Sequence, residues 1–251
     1  MLNLNHLILS MQKVINNHKR KNSFGDYDFT ISSHCNAACP SCKRYKSHNN
    51  PIHFPNEPLH PGLNQIHMDF DIFKSIMERD IHMFKDKIVT YEGEVGDPMV
   101  HPHVNSFIDL GTKIFKSLRV VTNGGIRTSK FFRDLGDTYK NLEIMFSIDG
   151  LHDDLNGLYR RRVNTQKAID NMIAFSESKF GSRTVSWQYI IFEHNWFEIP
   201  ELLDFAKLYE IPVTLKINTR PKFRIKERLI PNVVDLYERN KFKLSTLNLA
   251  N

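Results

Sequence analysis

All the cysteines of the chain lie close together in one short segment. Cys35, Cys39 and Cys42 have the spacing C-x3-C-x2-C and follow an apolar, strand-like run at 29–33. Thiolates are soft ligands that suit zinc or an iron–sulfur cluster. Four protein ligands close a structural zinc site, whereas three leave one metal position open for chemistry. The spacing therefore predicts a metal centre with an open coordination position.

The same cysteines fit two other arrangements. His34 or His48 would complete a zinc site as a fourth ligand, and Cys39 with Cys42 have the spacing of a redox thiol pair. An odd number of cysteines in a single cluster is unlike the disulfide framework of a small secreted domain. The cysteine pattern therefore predicts a reducing, cytoplasmic location.

Composition sets broad limits on the class of protein. The 251 residues are enough for one large domain, and 41% hydrophobic with 25% charged residues is typical of globular proteins. No apolar run approaches the length of a transmembrane helix, so no membrane partner is expected. The net charge of +6 weakly favours anionic partners, so a nucleic acid is one possible partner.

Strand-like and helix-like segments alternate along most of the chain. Apolar strand candidates occupy 28–33, 87–91, 118–122, 142–147, 185–192 and 213–217. Stripes of apolar residues at helical spacing lie between them, and Asp69 is a candidate N-cap for the first of these helices. Such alternation predicts an α/β fold with parallel strands and right-handed crossovers. Six units are too few for a closed eight-stranded barrel, so we expect a partial (βα)6 TIM-type barrel. A doubly wound sheet is the alternative.

Polar or glycine-rich turns follow each predicted strand. The cysteine segment follows the first, and later turns lie at 93–98, 122–125 and 147–150, with Asn195, Asn218 and Arg220 after the last two strands. Ligands bind at the carboxyl ends of the strands in both candidate folds. The turns are therefore expected to meet at one site.

The cysteine spacing resembles the signature of the radical S-adenosylmethionine (SAM) superfamily, and the motif pattern is most similar to the molybdenum-cofactor-synthesis and peptide-maturase branch. The resemblance covers residues 28–218. It implies that Cys35, Cys39 and Cys42 hold a 4Fe–4S cluster whose fourth iron takes the amine and carboxylate of SAM. A flavodoxin or ferredoxin-like donor would supply an electron that cleaves SAM to a 5′-deoxyadenosyl radical. That radical would abstract hydrogen from a small-molecule, peptide or nucleotide substrate.

The resemblance also implies a set of SAM contacts. Gly96 and Asp97 precede Pro98 in a turn that resembles the family's Gly-Gly-Glu-Pro, although Asp replaces Glu and the preceding glycine is displaced to Gly93. The implied cofactor-binding residues are Gly96, Asp97, Thr122, Ser147, Asp149, Arg160 and Gln188. Ser41 stands where many members have an aromatic residue. No catalytic residue is assigned beyond the cluster.

The remaining segments complete the predicted organisation. We expect an amphipathic N-terminal helix within 1–22, a core domain at 23–219 and a basic C-terminal extension at 220–251 with a helix at 233–239. The loop at 43–68 is expected to be a lid, and the basic side chains of 216–228 are a candidate phosphate-binding edge. No cysteine follows Cys42, so no auxiliary cluster is expected.

Two competing hypotheses stand beside the radical SAM enzyme. One is a zinc-bearing nucleic-acid-binding protein, and the other is a radical-SAM-like scaffold that has lost catalysis. The identity of the bound metal and the ability to cleave SAM distinguish the three hypotheses.

Overall fold

A computed structural model of the chain describes residues 25–45, 59–93, 95–218, 229, 232 and 246–249. The described part contains one seven-stranded sheet in the order β1-β2-β3-β4-β5-β6-β7, in which every neighbouring pair is parallel. The strands are β1 Tyr27–Phe29, β2 Ile88–Tyr91, β3 Ser117–Thr122, β4 Leu142–Ser147, β5 Val185–Ile191, β6 Val213–Ile217 and β7 Thr246–Leu249. The predicted α/β partial barrel with parallel strands is therefore confirmed.

Helices connect successive strands, as the alternating pattern predicts. They are α1 Phe70–Arg79, α2 Ile81–Phe84, α3 Val104–Ile114, α4 Ser129–Thr138, α5 Asp153–Tyr159, α6 Thr165–Ser176 and α7 Ile199–Leu208. Local capping explains where several of them begin: Asp69, Thr128 and Asn164 accept hydrogen bonds from backbone N–H groups in the first turns of α1, α4 and α6. The predicted N-cap at Asp69 is confirmed.

The two faces of the sheet have different neighbours. On β6, Val213, Leu215 and Ile217 are buried in the hydrophobic core beneath the helices, whereas Lys216 lies on the opposite face and lines a cavity. Gln188 and Ile190 of β5 also line that cavity. The alternation of side chains along a strand thus separates an apolar outer face from an inner face that lines the cavity.

Four features differ from the predicted elements. The first strand ends at Phe29 because the following segment pairs elsewhere: Ile31 O accepts from Met68 N, and Ser33 N donates to Ile66 O. The stripe predicted as one helix divides at Asp80 into α1 and α2. Helix α5 and strand β7 were not predicted, and β7 extends the sheet beyond six strands.

Several predicted segments lie outside the described residues. They are the N-terminal helix within 1–22, residues 46–58 of the predicted lid at 43–68, the basic edge beyond 218 and the helix at 233–239. In the described part of the chain, every helix is too short or too polar to span a bilayer.

Candidate functional site

A cavity of about 360 Å³ lies at the carboxyl ends of the strands. Its lining includes the sequence-predicted residues Cys35, Cys39, Cys42, Gly96, Asp97, Thr122, Ser147, Arg160 and Gln188. Asp149 is absent from this lining. The turns after the first four predicted strands therefore meet at one site, as the parallel fold requires. Asn195 and Asn218 do not line the cavity, and Arg220 lies outside the described residues.

Hydrogen bonds to backbone carbonyls hold the cysteine loop in place. The buried guanidinium of Arg44 donates from Nη1 to the carbonyl oxygens of Cys35 (3.3 Å) and Ala37 (3.2 Å). The N–H of Ala38 donates to the carbonyl of Arg161 at 2.8 Å, which ties the loop to the turn that carries Arg160. The protein itself thus holds the loop from two sides.

The three thiols are free and face a shared space. Burial, with the nearby charge of Asp97, raises the pKa of Cys35 to about 12. Burial also raises the pKa of Cys39 to about 11, against the opposing effect of the Arg160 guanidinium. Buried thiols with such pKa values become thiolates when a metal cation supplies the compensating charge.

The chemistry of this donor set fits an iron–sulfur cluster. The three cysteine sulfurs, which are soft ligands once deprotonated, line one cavity, and N–H donors approach the sulfur of Cys35 from Ala37 N at 3.3 Å and Asn123 Nδ2 at 3.6 Å. Within the described ranges, no group of three His, Cys, Asp or Glu side chains is arranged to hold a metal ion. The cluster ligands accordingly stay a prediction.

The turn after β2 is packed tightly against the cysteine loop. A Cβ atom on Gly96 would lie 2.0 Å from the carbonyl oxygen of Ser32, so this position excludes any side chain. The N–H of Asp97 donates to the carbonyl of His34 at 2.8 Å. Gly96 therefore has a steric reason for its identity, independent of any contact with SAM.

The carboxylate of Asp97 is buried and surrounded by donors from the protein. Oδ1 accepts from Met99 N at 2.9 Å, and Oδ2 accepts from Asn123 N at 2.8 Å and Asn123 Nδ2 at 2.7 Å. The hydroxyl of Thr122 donates to both oxygens at 3.0 Å. Burial raises the pKa of Asp97, and these donors oppose that shift. The contacts of Asp97 and Thr122 with SAM stay predictions, and the geometry gives both residues a structural role.

Arg160 and Asp149 form a buried ion pair in the cavity wall. Arg160 Nε donates to Asp149 Oδ2 at 2.6 Å, and the other carboxylate oxygen accepts from Ile190 N at 2.8 Å. Asp149 is fully buried behind Arg160, which itself faces the cavity and Cys39. The structure thus places Arg160 at the cavity and Asp149 behind it as a support. The cofactor contact implied for Asp149 stays a prediction.

Ser147 and Gln188 are neighbours across the β4–β5 pair. They are register partners, and Gln188 Nε2 donates to Ser147 Oγ at 3.2 Å. Both line the cavity. Gln188 lies on the inner face of the barrel, and the cofactor contact implied for it stays a prediction.

Polar residues that the sequence did not assign to this site also line the cavity, among them Glu92 and Asn123. Lys216, the first residue of the predicted basic edge at 216–228, lines it as well. Asn123 lies within the turn recognised at 122–125, where Thr122 was singled out in its place. Lys216 lies on the inner face of β6, where burial lowers its pKa and the charge of Glu92 opposes that shift. Strict alternation along β6 is the signal that identifies Lys216, since its neighbours in the strand are apolar and buried.

Comparison with known proteins adds sequence and structural relatives. No family model matches the chain. The chain is 24% identical over 198 residues to the tungsten-containing aldehyde ferredoxin oxidoreductase cofactor-modifying protein of Pyrococcus furiosus, a match that covers 76% of this chain and 50% of that protein. The chain therefore spans about half the length of this curated relative.

Solved structures resemble the whole described core. SuiB of Streptococcus suis bound to its precursor peptide SuiA superposes with a TM-score of 0.66 at 15% identity, over 100% of this chain and 55% of SuiB. SuiB is also known bound to SAM. The protein anSMEcpe with bound SAM and the Cp18Cys peptide gives a TM-score of 0.61 at 13% identity, over 88% of this chain and 62% of that chain. These neighbours are radical SAM enzymes, and the chain has their partial-barrel fold.

Proposed function

We propose that this protein is a radical SAM enzyme that cleaves SAM reductively and abstracts hydrogen from a substrate. The observation that carries the proposal is one cavity lined by all three cysteines together with Arg160, Ser147 and Gln188. The cavity lies at the strand ends of a fold shared with SAM-bound enzymes. The proposed location is the cytoplasm, with a flavodoxin or ferredoxin-like electron donor.

The proposed mechanism assigns separate tasks to the residues of the cavity. Cys35, Cys39 and Cys42 would hold three irons of a 4Fe–4S cluster and leave the fourth for SAM. When bound, that cluster supplies the electron that breaks the sulfur–C5′ bond of SAM. Arg160 presents a fixed cation toward the carboxylate of SAM, because Asp149 holds its side chain from behind.

The inner face of the sheet forms the other wall of the cavity. Ser147 and Gln188 offer a hydroxyl and an amide to the ribose or adenine.

A peptide is the substrate class that we favour. SuiB and anSMEcpe were both solved with peptides bound. A small molecule is the second candidate, because the curated relative from Pyrococcus furiosus is named as a cofactor-modifying protein.

Anaerobic reconstitution of the full chain with iron and sulfide tests this proposal. We expect bound iron, visible sulfide-to-iron absorption, and 5′-deoxyadenosine on addition of SAM and dithionite. Cys35→Ala, Cys39→Ala and Cys42→Ala should each abolish 5′-deoxyadenosine formation. Ser41→Ala is the matched control, because Ser41 is buried in the same loop and carries no thiol.

Each contrary outcome identifies a competing function. A colourless protein that holds zinc would support the zinc-bearing nucleic-acid-binding protein. A protein that binds the cluster and forms no 5′-deoxyadenosine would be a catalytically silent scaffold.

A further inference from the structure

The side chain of Asn123 occupies a junction between three loops of the cavity. Asn123 directly follows β3 and is 5% exposed. Its Nδ2 lies 2.8 Å from Asn36 Oδ1, 2.7 Å from Asp97 Oδ2 and 3.6 Å from Cys35 Sγ. One side-chain amide therefore joins the end of β3 to both the cysteine loop and the turn after β2.

The orientation of this amide follows from its other end. Asn123 Oδ1 accepts a hydrogen bond from Gly125 N at 2.9 Å, and a backbone N–H can only donate. The opposite amide orientation would place two donors against each other. The NH2 group is therefore the end that faces Cys35 and Asp97.

Cys35 and Cys39 have different electrostatic neighbours. Cys35 receives donors from Ala37 N and Asn123 Nδ2, and the same Nδ2 also donates to the Asp97 carboxylate at 2.7 Å. Cys39 instead faces the guanidinium of Arg160. Hydrogen bonds to ligating sulfurs and nearby charges both change the reduction potential of an iron–sulfur cluster.

We infer that Asn123 is a positioning residue that orients the Cys35 thiolate and raises the reduction potential of the bound cluster. The amide stabilises negative charge on Cys35 Sγ, and this charge increases when the cluster accepts an electron. The same NH2 group donates to Asp97 and offsets part of its negative charge. That charge would otherwise disfavour reduction of the cluster. This inference depends on the proposed function, because it requires a cluster on Cys35.

The test measures the midpoint potential of the reconstituted cluster in the full chain by a dye-mediated titration followed by electron paramagnetic resonance. Asn123→Ala should bind as much iron as the wild type and be harder to reduce. We expect the ratio of reduced to oxidised cluster at a fixed donor potential to fall about tenfold, which is 59 mV for a one-electron couple. Asn123→Ser keeps a single hydroxyl donor, so its midpoint potential should lie between those of the wild type and Asn123→Ala.

Asn141→Ala is the matched control. Asn141 Nδ2 also makes two hydrogen bonds, to the carbonyls of Thr112 and Phe115, and Asn141 does not line the cavity. Its replacement should leave the potential unchanged. The inference is overturned if both Asn123 variants bind the cluster at the wild-type potential, or if Asn141→Ala shifts it equally. A wild type that binds no iron would instead refute the proposed function.

Discussion

At the scale of single residues, the site depends on charges that are buried in pairs. The side chains of Arg160 and Asp149 are 15% and 0% exposed, so neither charge is screened strongly by water. Removing one partner of a buried pair leaves the other charge uncompensated and costs more than the pair contributes. The geometry of Arg160 toward the cavity therefore depends on a residue that does not line it.

Replacing Asp149 tests this dependence. We expect Asp149→Asn to lower the free energy of unfolding by about 3 kcal/mol, because the Arg160 guanidinium stays buried without its counter-charge. Urea unfolding at neutral pH measures the change.

An exposed pair supplies the control for this variant. Lys130 and Asp134 form an ion pair on α4 with side chains 81% and 58% exposed. Asp134→Asn should change stability by less than about 1 kcal/mol. Equal losses in the two variants would contradict the role of burial.

At the scale of elements, local sequence explains where α1 begins and tertiary contacts explain α5. Asp69 Oδ1 accepts from Ile72 N at 2.9 Å, and this cap is visible in the sequence. Helix α5 lacks a clear apolar stripe. Its buried Asn156 accepts from Asp149 N at 2.8 Å and donates to Thr165 Oγ1 at 2.9 Å, so partners distant from its own turn stabilise it.

The cap of α1 gives a measurable prediction. Asp69→Ala should lower the free energy of unfolding by about 1 kcal/mol, because Ile72 N loses its acceptor. Chemical unfolding followed by circular dichroism measures it.

Ser75→Ala is the control within the same helix. Ser75 is exposed, and its hydroxyl donates to a carbonyl inside α1 instead of capping it. Alanine has the higher helix propensity, so this variant should be neutral or slightly stabilising. A loss in Ser75→Ala equal to that in Asp69→Ala would show that the cap itself contributes nothing.

At the scale of the whole molecule, a buried histidine couples folding to pH. His101 Nδ1 accepts from His103 N at 3.0 Å, and its Nε2 donates to the carbonyl of Met68 at 2.9 Å. Both ring nitrogens are satisfied by the neutral form. Burial lowers the pKa of His101, with smaller contributions from His103 and Arg127, while the Met68 carbonyl opposes the shift.

The sign of the pH dependence follows from this lowered pKa. Below about pH 6.5 the unfolded chain binds a proton at His101 that the folded chain does not, so stability falls as pH decreases. Urea midpoints measured between about pH 5 and 8 should show this loss.

His101→Gln should reduce the dependence of stability on pH without removing it, because burial lowers the pKa of His67 and His194 as well. His82→Gln, at an exposed position in α2, is the control and should keep the full slope. An unchanged slope in His101→Gln would make the assignment to this residue wrong.

Sequence alone determined the local features of this protein. The spacing of Cys35, Cys39 and Cys42 identified the candidate metal ligands, and the alternation of apolar runs predicted six of the seven strands and their parallel pairing. It also located the site, because parallel strands bring their carboxyl ends to one edge. These properties are readable because hydrophobic periodicity and turn chemistry act between residues close in sequence.

Tertiary structure decided which polar groups face the cavity and which support them from behind. Asn123 is hydrogen-bonded to Asn36, which is 87 positions away in the sequence, and Asp149 is hydrogen-bonded to Ile190, which is 41 positions away. Such contacts depend on how the sheet curves and on how adjacent loops close over its edge, and no local pattern encodes that geometry. For the same reason β7 was missed: four residues of modest strand character become a strand when the exposed edge of β6 provides hydrogen-bonding partners.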